Sequence, residues 1–157
     1  MNKLDNFLIE YSKSHKNKTN ILIHNICVPA IMFSLIGLIK ALPVPAYWPL
    51  WLDWSYFFII GALIFYASFK SLNVFVAMIL FIIPQVLLLE FLKPRFFLLC
   101  LFIFIVAWIF QFIGHKIEGA KPSFFKDLIF LLIGPIWVVK KFTDQMAFKL
   151  FNNAKDT

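Results

Sequence analysis

Four apolar runs, residues 21–39, 54–69, 72–92 and 96–114, dominate this chain and leave it few folds to choose from. Each is close to the roughly 20 residues an α-helix needs to cross the hydrocarbon of a bilayer. In hydrocarbon every backbone N–H and C=O must find its partner within the protein, so runs of this kind become helices. Composition agrees. Hydrophobic residues make up 62% of the chain and charged residues 15%, and the mean hydropathy is +0.85; a soluble domain is nearer half apolar and a quarter charged. The 21 phenylalanines alone carry more apolar surface than a small water-soluble protein can hide. The sequence therefore reads as an all-α integral membrane protein, one domain over residues 1–157, with four transmembrane helices.

The joints between the runs refine this picture. Only residues 70–73 separate the second and third runs, which predicts a tight antiparallel hairpin. Pro94 blocks helix continuation between the third and fourth, and Pro84 with Gln85 interrupts the third, predicting a kink. Gln85 is read there as satisfying freed backbone. Trp48, Trp51 and Trp54 suit an interfacial aromatic belt. Four crossings return both chain ends to one side. On that model all the Lys and Arg residues except Lys40, Lys93 and Arg95 share the side of the termini, which makes that side cytoplasmic. A further apolar stretch, residues 127–139, is short for a span and is interrupted at Gly134–Pro135. It is expected to form a C-terminal re-entrant or interfacial helix.

Several function classes drop out. The N-terminus carries both charge signs and lacks the apolar core and cleavage site of a signal peptide, so the mature chain is expected to begin near Met1. Cys27 and Cys100 both lie inside apolar runs, which argues against a disulfide framework. The net charge of +7 belongs to the positive-inside pattern and not to a nucleic-acid surface. Gly-x-Ser-x-Gly, P-loop and His-Glu-x-x-His motifs are all missing. High Lys, Phe and Ile with little Arg points to an AT-rich genome, and so to a bacterial inner membrane over an endoplasmic reticulum.

The chain's three histidines remain. His15 and His24 lie before and just inside the first run, and His115 follows the fourth, so all three fall on the cytoplasmic face. Gln111, His115 and Glu118 are spaced i, i+4, i+7 along one helical face. A His and a Glu three apart can converge on one cation, and that donor pair suits iron, zinc or manganese. Equally, the two can pair with each other or with lysines at headgroup level. His15 and His24 are nine apart, on opposite faces of an unbroken helix. "HKNKTN" offers a break, because Thr19 and Asn20 are good N-cap residues. A helix starting at Asn20 would place His24 one turn inside and let His15 fold back. Tyr11, one turn before His15, can bond to such a site or anchor at the interface. Membrane desaturases use more histidines than this chain has, which leaves one metal held by two or three histidines, with or without Glu118.

Two segments, "YSKSHKNKTNILIHNICVP" and "QFIGHKIEGAKPSFFKDLIFLLIGP", resemble the Mpo1-like family in sequence and in order, and together they flank the four runs. Departures fall at Lys18, where the family often has proline, at Cys27 in place of glycine, and at Ser123–Phe124 in place of Ala-Leu. The resemblance implies an Fe(II)-dependent dioxygenase that converts 2-hydroxy fatty acids to acids one carbon shorter plus CO₂, with O₂ as cosubstrate and without 2-oxoglutarate. It makes His15, His24 and His115 iron ligands, with Glu118 either on the metal or orienting an imidazole. Tyr11, Asn20, Gln111 and Lys121 are the candidates for contacting the substrate, whose alkyl chain would lie in the bilayer-embedded part. Two other readings stay open: a non-catalytic multi-pass protein of transport or assembly, and a different metal-dependent lipid enzyme such as a zinc hydrolase.

Overall fold

The computed structural model describes residues 3–92, 96–121 and 129–153, with the side chains of these except 96 and 144–153. Among the described residues all regular structure is helical. The order is α1 (Lys3–Lys13), α2 (Lys18–Lys40), α3 (Trp54–Ala67), α4 (Leu72–Phe91), α5 (Phe96–Glu118) and α6 (Phe130–Asn153).

Three helices, not the expected four, are long and apolar enough to cross a membrane: α2, α4 and α5. The second apolar run becomes α3, only 14 residues long. At about 1.5 Å per residue it measures ~21 Å against ~30 Å of hydrocarbon. Its start is fixed from two directions. Pro43, Pro45 and Pro49 deny the preceding segment the donors of a helix, and Asp53 caps the first turn by accepting from Ser55 N at 2.9 Å. The helix therefore begins where the apolar run begins, and it ends at Ala67, two residues before the run does.

The C-terminal stretch also departs from expectation. Residues 127 and 128 lie outside the described residues, as does the joint at Pro94. From Phe130 the helix continues without a break through Pro135 to Asn153. Proline inside a helix forfeits one hydrogen bond, and neighbouring helices make that tolerable in an apolar surrounding. Residues 133–138 are buried against the rest of the bundle. α4 likewise runs through Pro84, and Gln85 Nε2 donates to the Phe81 carbonyl at 2.8 Å.

The frame of the molecule is the antiparallel pair α2 and α5. Asn20 at the head of α2 meets Glu118 and Gly114 at the foot of α5, while Gly37 near the foot of α2 meets Cys100 near the head of α5. α3 and α4 form the expected hairpin beside this pair. The far end is marked by Lys40, whose Nζ lies 2.7 Å from Asp53 and 2.5 Å from Glu90. At the near end Phe69, just past α3, packs edge-on against Phe7 of α1. α3 thus runs between the same two ends as its longer neighbours. α6 threads the near half, with Tyr66 Oη donating to the Leu132 carbonyl at 3.2 Å. Outward faces carry Leu80, Leu98 and Phe102, all exposed, an apolar exterior that suits lipid and not water.

Candidate metal centre

The centre is built at the near end, where α1, α2, α5 and α6 meet. α1 stops at Lys13, and residues 14–17 reverse the chain. α2 then begins at Lys18, two residues earlier than expected, because the cap is Asn17 and not Thr19 or Asn20. Asn17 Oδ1 accepts from Thr19 N at 2.9 Å and from Asn20 N at 3.4 Å, satisfying donors that every helix start leaves open. His24 therefore sits nearly two turns inside α2. The reversal brings His15 back to it, which nine residues of continuous helix would forbid.

The His15 and His24 ring centroids are 4.2 Å apart, and His115 from α5 completes the triangle at 5.0 and 4.8 Å. One ligating nitrogen from each ring lies within 4.8 Å of the others. All three rings are buried, at 4%, 1% and 5% exposure. His15 Nδ1–H donates to the Tyr11 carbonyl at 2.6 Å and His24 Nδ1–H to the Asn20 carbonyl at 2.9 Å. A carbonyl can only accept, so these bonds fix the tautomer and leave each Nε2 with its lone pair, the usual preparation of a metal-ligating histidine. Burial pushes the His15 imidazole down to about 4, which keeps it in the neutral form a metal requires.

The residues fit a metal ion on a second count. His15 Nε2 and His115 Nδ1 are buried without a hydrogen-bond partner. Each orphaned buried polar atom costs about 1–3 kcal/mol, and His15 and His24, with their Nδ1–H groups spent on carbonyls, turn only lone pairs to the centre. A cation resolves the conflict. All-imidazole donors suit iron, zinc, copper or nickel.

The other expected site residues divide. Tyr11 is buried, stacks on His15 at 4.1 Å with an interplanar angle of 6°, and lines a cavity that the histidines head. Burial raises its phenol pKa, so it stays a hydrogen-bond donor. Gln111 is buried, lines the same cavity and reaches the His24 ring. Asn20 is fully buried, but its Nδ2 donates to Ser14 O at 3.1 Å and to Glu118 Oε2 at 3.0 Å. A Cβ on residue 114 would run into Asn20 Oδ1, so glycine there is what lets α5 approach α2. Glu118 is turned to the α1–α2 reversal: Oε1 accepts from Lys16 N at 2.9 Å and Oε2 from Asn17 N at 2.8 Å. Lys121 is exposed and stands apart from the cavity lining.

The sequence reading missed Asn17 and Trp137. Trp137 packs 5.3 Å from His15 and 5.4 Å from Tyr11, and its Nε1–H donates to Ser12 Oγ at 3.0 Å. Its position one turn after Gly134 was a signal only if the helix continued through Pro135. The cavity, about 320 Å³, runs from the histidines between two stripes. Val28, Ile31, Met32 and Leu35 continue His24 along α2, and Gln111, Trp108 and Phe104 continue His115 along α5.

Residues 1–146 match the model of the family described as 2-hydroxy-palmitic acid dioxygenase Mpo1-like. The chain belongs to the Mpo1-like family. It is similar to 2-hydroxy-palmitic acid dioxygenase MPO1 of Saccharomyces cerevisiae (strain ATCC 204508 / S288c), with 28% identity over 140 residues, which covers 88% of this chain and 78% of the yeast protein. No solved structure matches. All three histidines of this Mpo1-like chain lie within the matched residues, in the two segments that carried the resemblance.

Proposed function

We propose that this Mpo1-like protein is an Fe(II)-dependent dioxygenase, embedded in a membrane, that oxidises 2-hydroxy fatty acids to acids one carbon shorter. The observation that carries the reading is the meeting of three buried histidines, two with unpartnered nitrogens, at the head of an apolar cavity. The reaction balances without a second cosubstrate: R–CH(OH)–COOH and O₂ give R–COOH, CO₂ and H₂O, and the substrate supplies all four electrons.

His15, His24 and His115 would hold the iron. When bound, it supplies the electron transfer that lets O₂ react with an organic acid. The chain does the rest. The Tyr11 phenol and the Gln111 carboxamide, both on the cavity wall, orient the carboxylate and 2-hydroxyl of the substrate head. The aliphatic and aromatic walls take the alkyl chain and exclude water. Glu118 acts through its two backbone bonds: it ties the end of α5 to residues 16 and 17 and so fixes the reversal that aims His15. Exposed Lys121 draws the acid from the surface by charge alone. The lysine asymmetry supports a cytoplasmic position for both termini and for the histidine end, and the Lys-, Phe- and Ile-rich, Arg-poor composition favours a bacterial inner membrane as the host. α3 would complete the fourth crossing where the bilayer thins around it.

The test is O₂ uptake by iron-loaded protein given 2-hydroxypalmitate, with products identified. Pentadecanoate and CO₂, each equimolar with the O₂ consumed, are expected. Activity with zinc and without O₂ uptake would make it a hydrolase instead.

A further inference from the structure

The geometry points to the cavity as a ruler for the substrate's alkyl chain, with Leu35, Phe58 and Phe104 as its floor; this rests on the 2-hydroxy fatty acid reading above. The two stripes that bound the cavity have the same length. From His24 to Leu35 on α2, and from His115 to Phe104 on α5, the cavity lining ends eleven residues away from the histidine. Eleven residues of helix rise ~16 Å. Phe58 of α3 reaches in at that depth from the side.

Below this level the bundle closes. A Cβ on residue 37 would collide with Cys100 Sγ and crowd Leu89, so α2 packs there directly on α5 and α4. Ile36, Leu89 and Cys100 are all at most 1% exposed. None of these tightly packed residues lines the cavity, so the lining stops short of this layer. The histidine end fixes the other limit, because the reacting carbon of the substrate must stay at the metal ligands. An extended chain of ~1.5 Å C–C bonds advances about 1.3 Å per carbon. A tail of about 12–14 carbons beyond the 2-hydroxyl carbon therefore fills the space, which corresponds to acids of about 14–16 carbons.

The experiment separates binding from turnover. Protein in detergent is equilibrated with an equimolar series of saturated fatty acids, and the acids retained after desalting are quantified by mass spectrometry. A micelle solvates each added methylene as well as an apolar wall does, so retention should be flat up to the limit and fall at least about 10-fold for acids some four carbons longer, which must force the floor. Phe104→Ala should move the fall to longer acids and Leu35→Trp to shorter ones. Phe58→Ala serves as a second enlarging variant should Phe104→Ala not fold. Turnover of 2-hydroxy acids should follow the same order in each protein. Retention that shifts with the floor, without turnover of any 2-hydroxy acid, would uphold the ruler and sink the dioxygenase reading. Turnover with one unchanged length profile in all folded variants would uphold the dioxygenase and overturn the ruler.

Discussion

Both ends of the α2–α5 pair gather polar side chains at the edge of an apolar bundle, and the two gatherings are chemically opposite. At the far end Lys40 meets Asp53 and Glu90, and Asp53 also caps α3. Each charge there has an opposite charge to face. At the near end three neutral imidazoles face one another, with His15 Nε2 and His115 Nδ1 unpartnered. A self-satisfied cluster needs nothing further and serves the fold. An unsatisfied cluster of lone pairs beside a cavity is organised around something still to come. The distinction lies in hydrogen-bond accounting and not in how polar or how buried the residues are.

Mutations can break that comparison. The largest contrast should be in activity. His15→Ala, His24→Ala and His115→Ala should each lower turnover by more than about 100-fold, beyond the usual cost of losing a partner that only orients a ligand. Lys40→Met should leave turnover per iron-loaded protein near wild type. Equal loss at both ends, measured in folded protein, would erase the contrast. Stability should show the reverse pattern. Lys40→Met removes the cation that Asp53 and Glu90 share and should cost about 1–3 kcal/mol, less than the ~3–5 kcal/mol of a fully buried pair, read from thermal unfolding in detergent. Metal-free His115→Ala removes an orphaned nitrogen and should unfold closer to wild type than Lys40→Met does.

Glu118 sharpens the comparison, because it belongs to the near end yet is fully bonded. Glu118→Gln should retain some iron with an affinity or activity lower by about 10–100-fold. Iron titration of the folded variant checks this, and total loss of iron would put the carboxylate on the metal itself. The smallest effect belongs to the cap. Asn17→Ala should cost about 0.5–2 kcal/mol, visible in unfolding, with activity falling only as far as the reversal loosens around His15.

The sequence made the helical class, the apolar runs and the three histidines on one face legible, because composition and order along the chain suffice for those. What it could not set was where helices begin and end. "HKNKTN" contains several good capping residues, and local preference cannot choose among them. The choice falls on Asn17, whose own N–H is held by Glu118, 101 residues away in the chain. The length of α3 escaped for a related reason: the helix starts where the apolar run starts, but the turn into α4, with Lys70 at positive φ, takes the last two residues of the run from it. Pro135 was read as a break because an isolated helix would stop there, but within the bundle residues 133–138 are buried and held on several sides. The same mistake hid Trp137 from the site.

Every functional role assigned to the near end depends on the histidine triangle being a metal site. Anaerobic titration of metal-free protein with Fe(II), in wild type and in His24→Ala, measures this directly. One tightly bound equivalent per wild-type chain, and its loss in folded His24→Ala, is the expected result. Equal iron binding by the two proteins, or none by either, would contradict it.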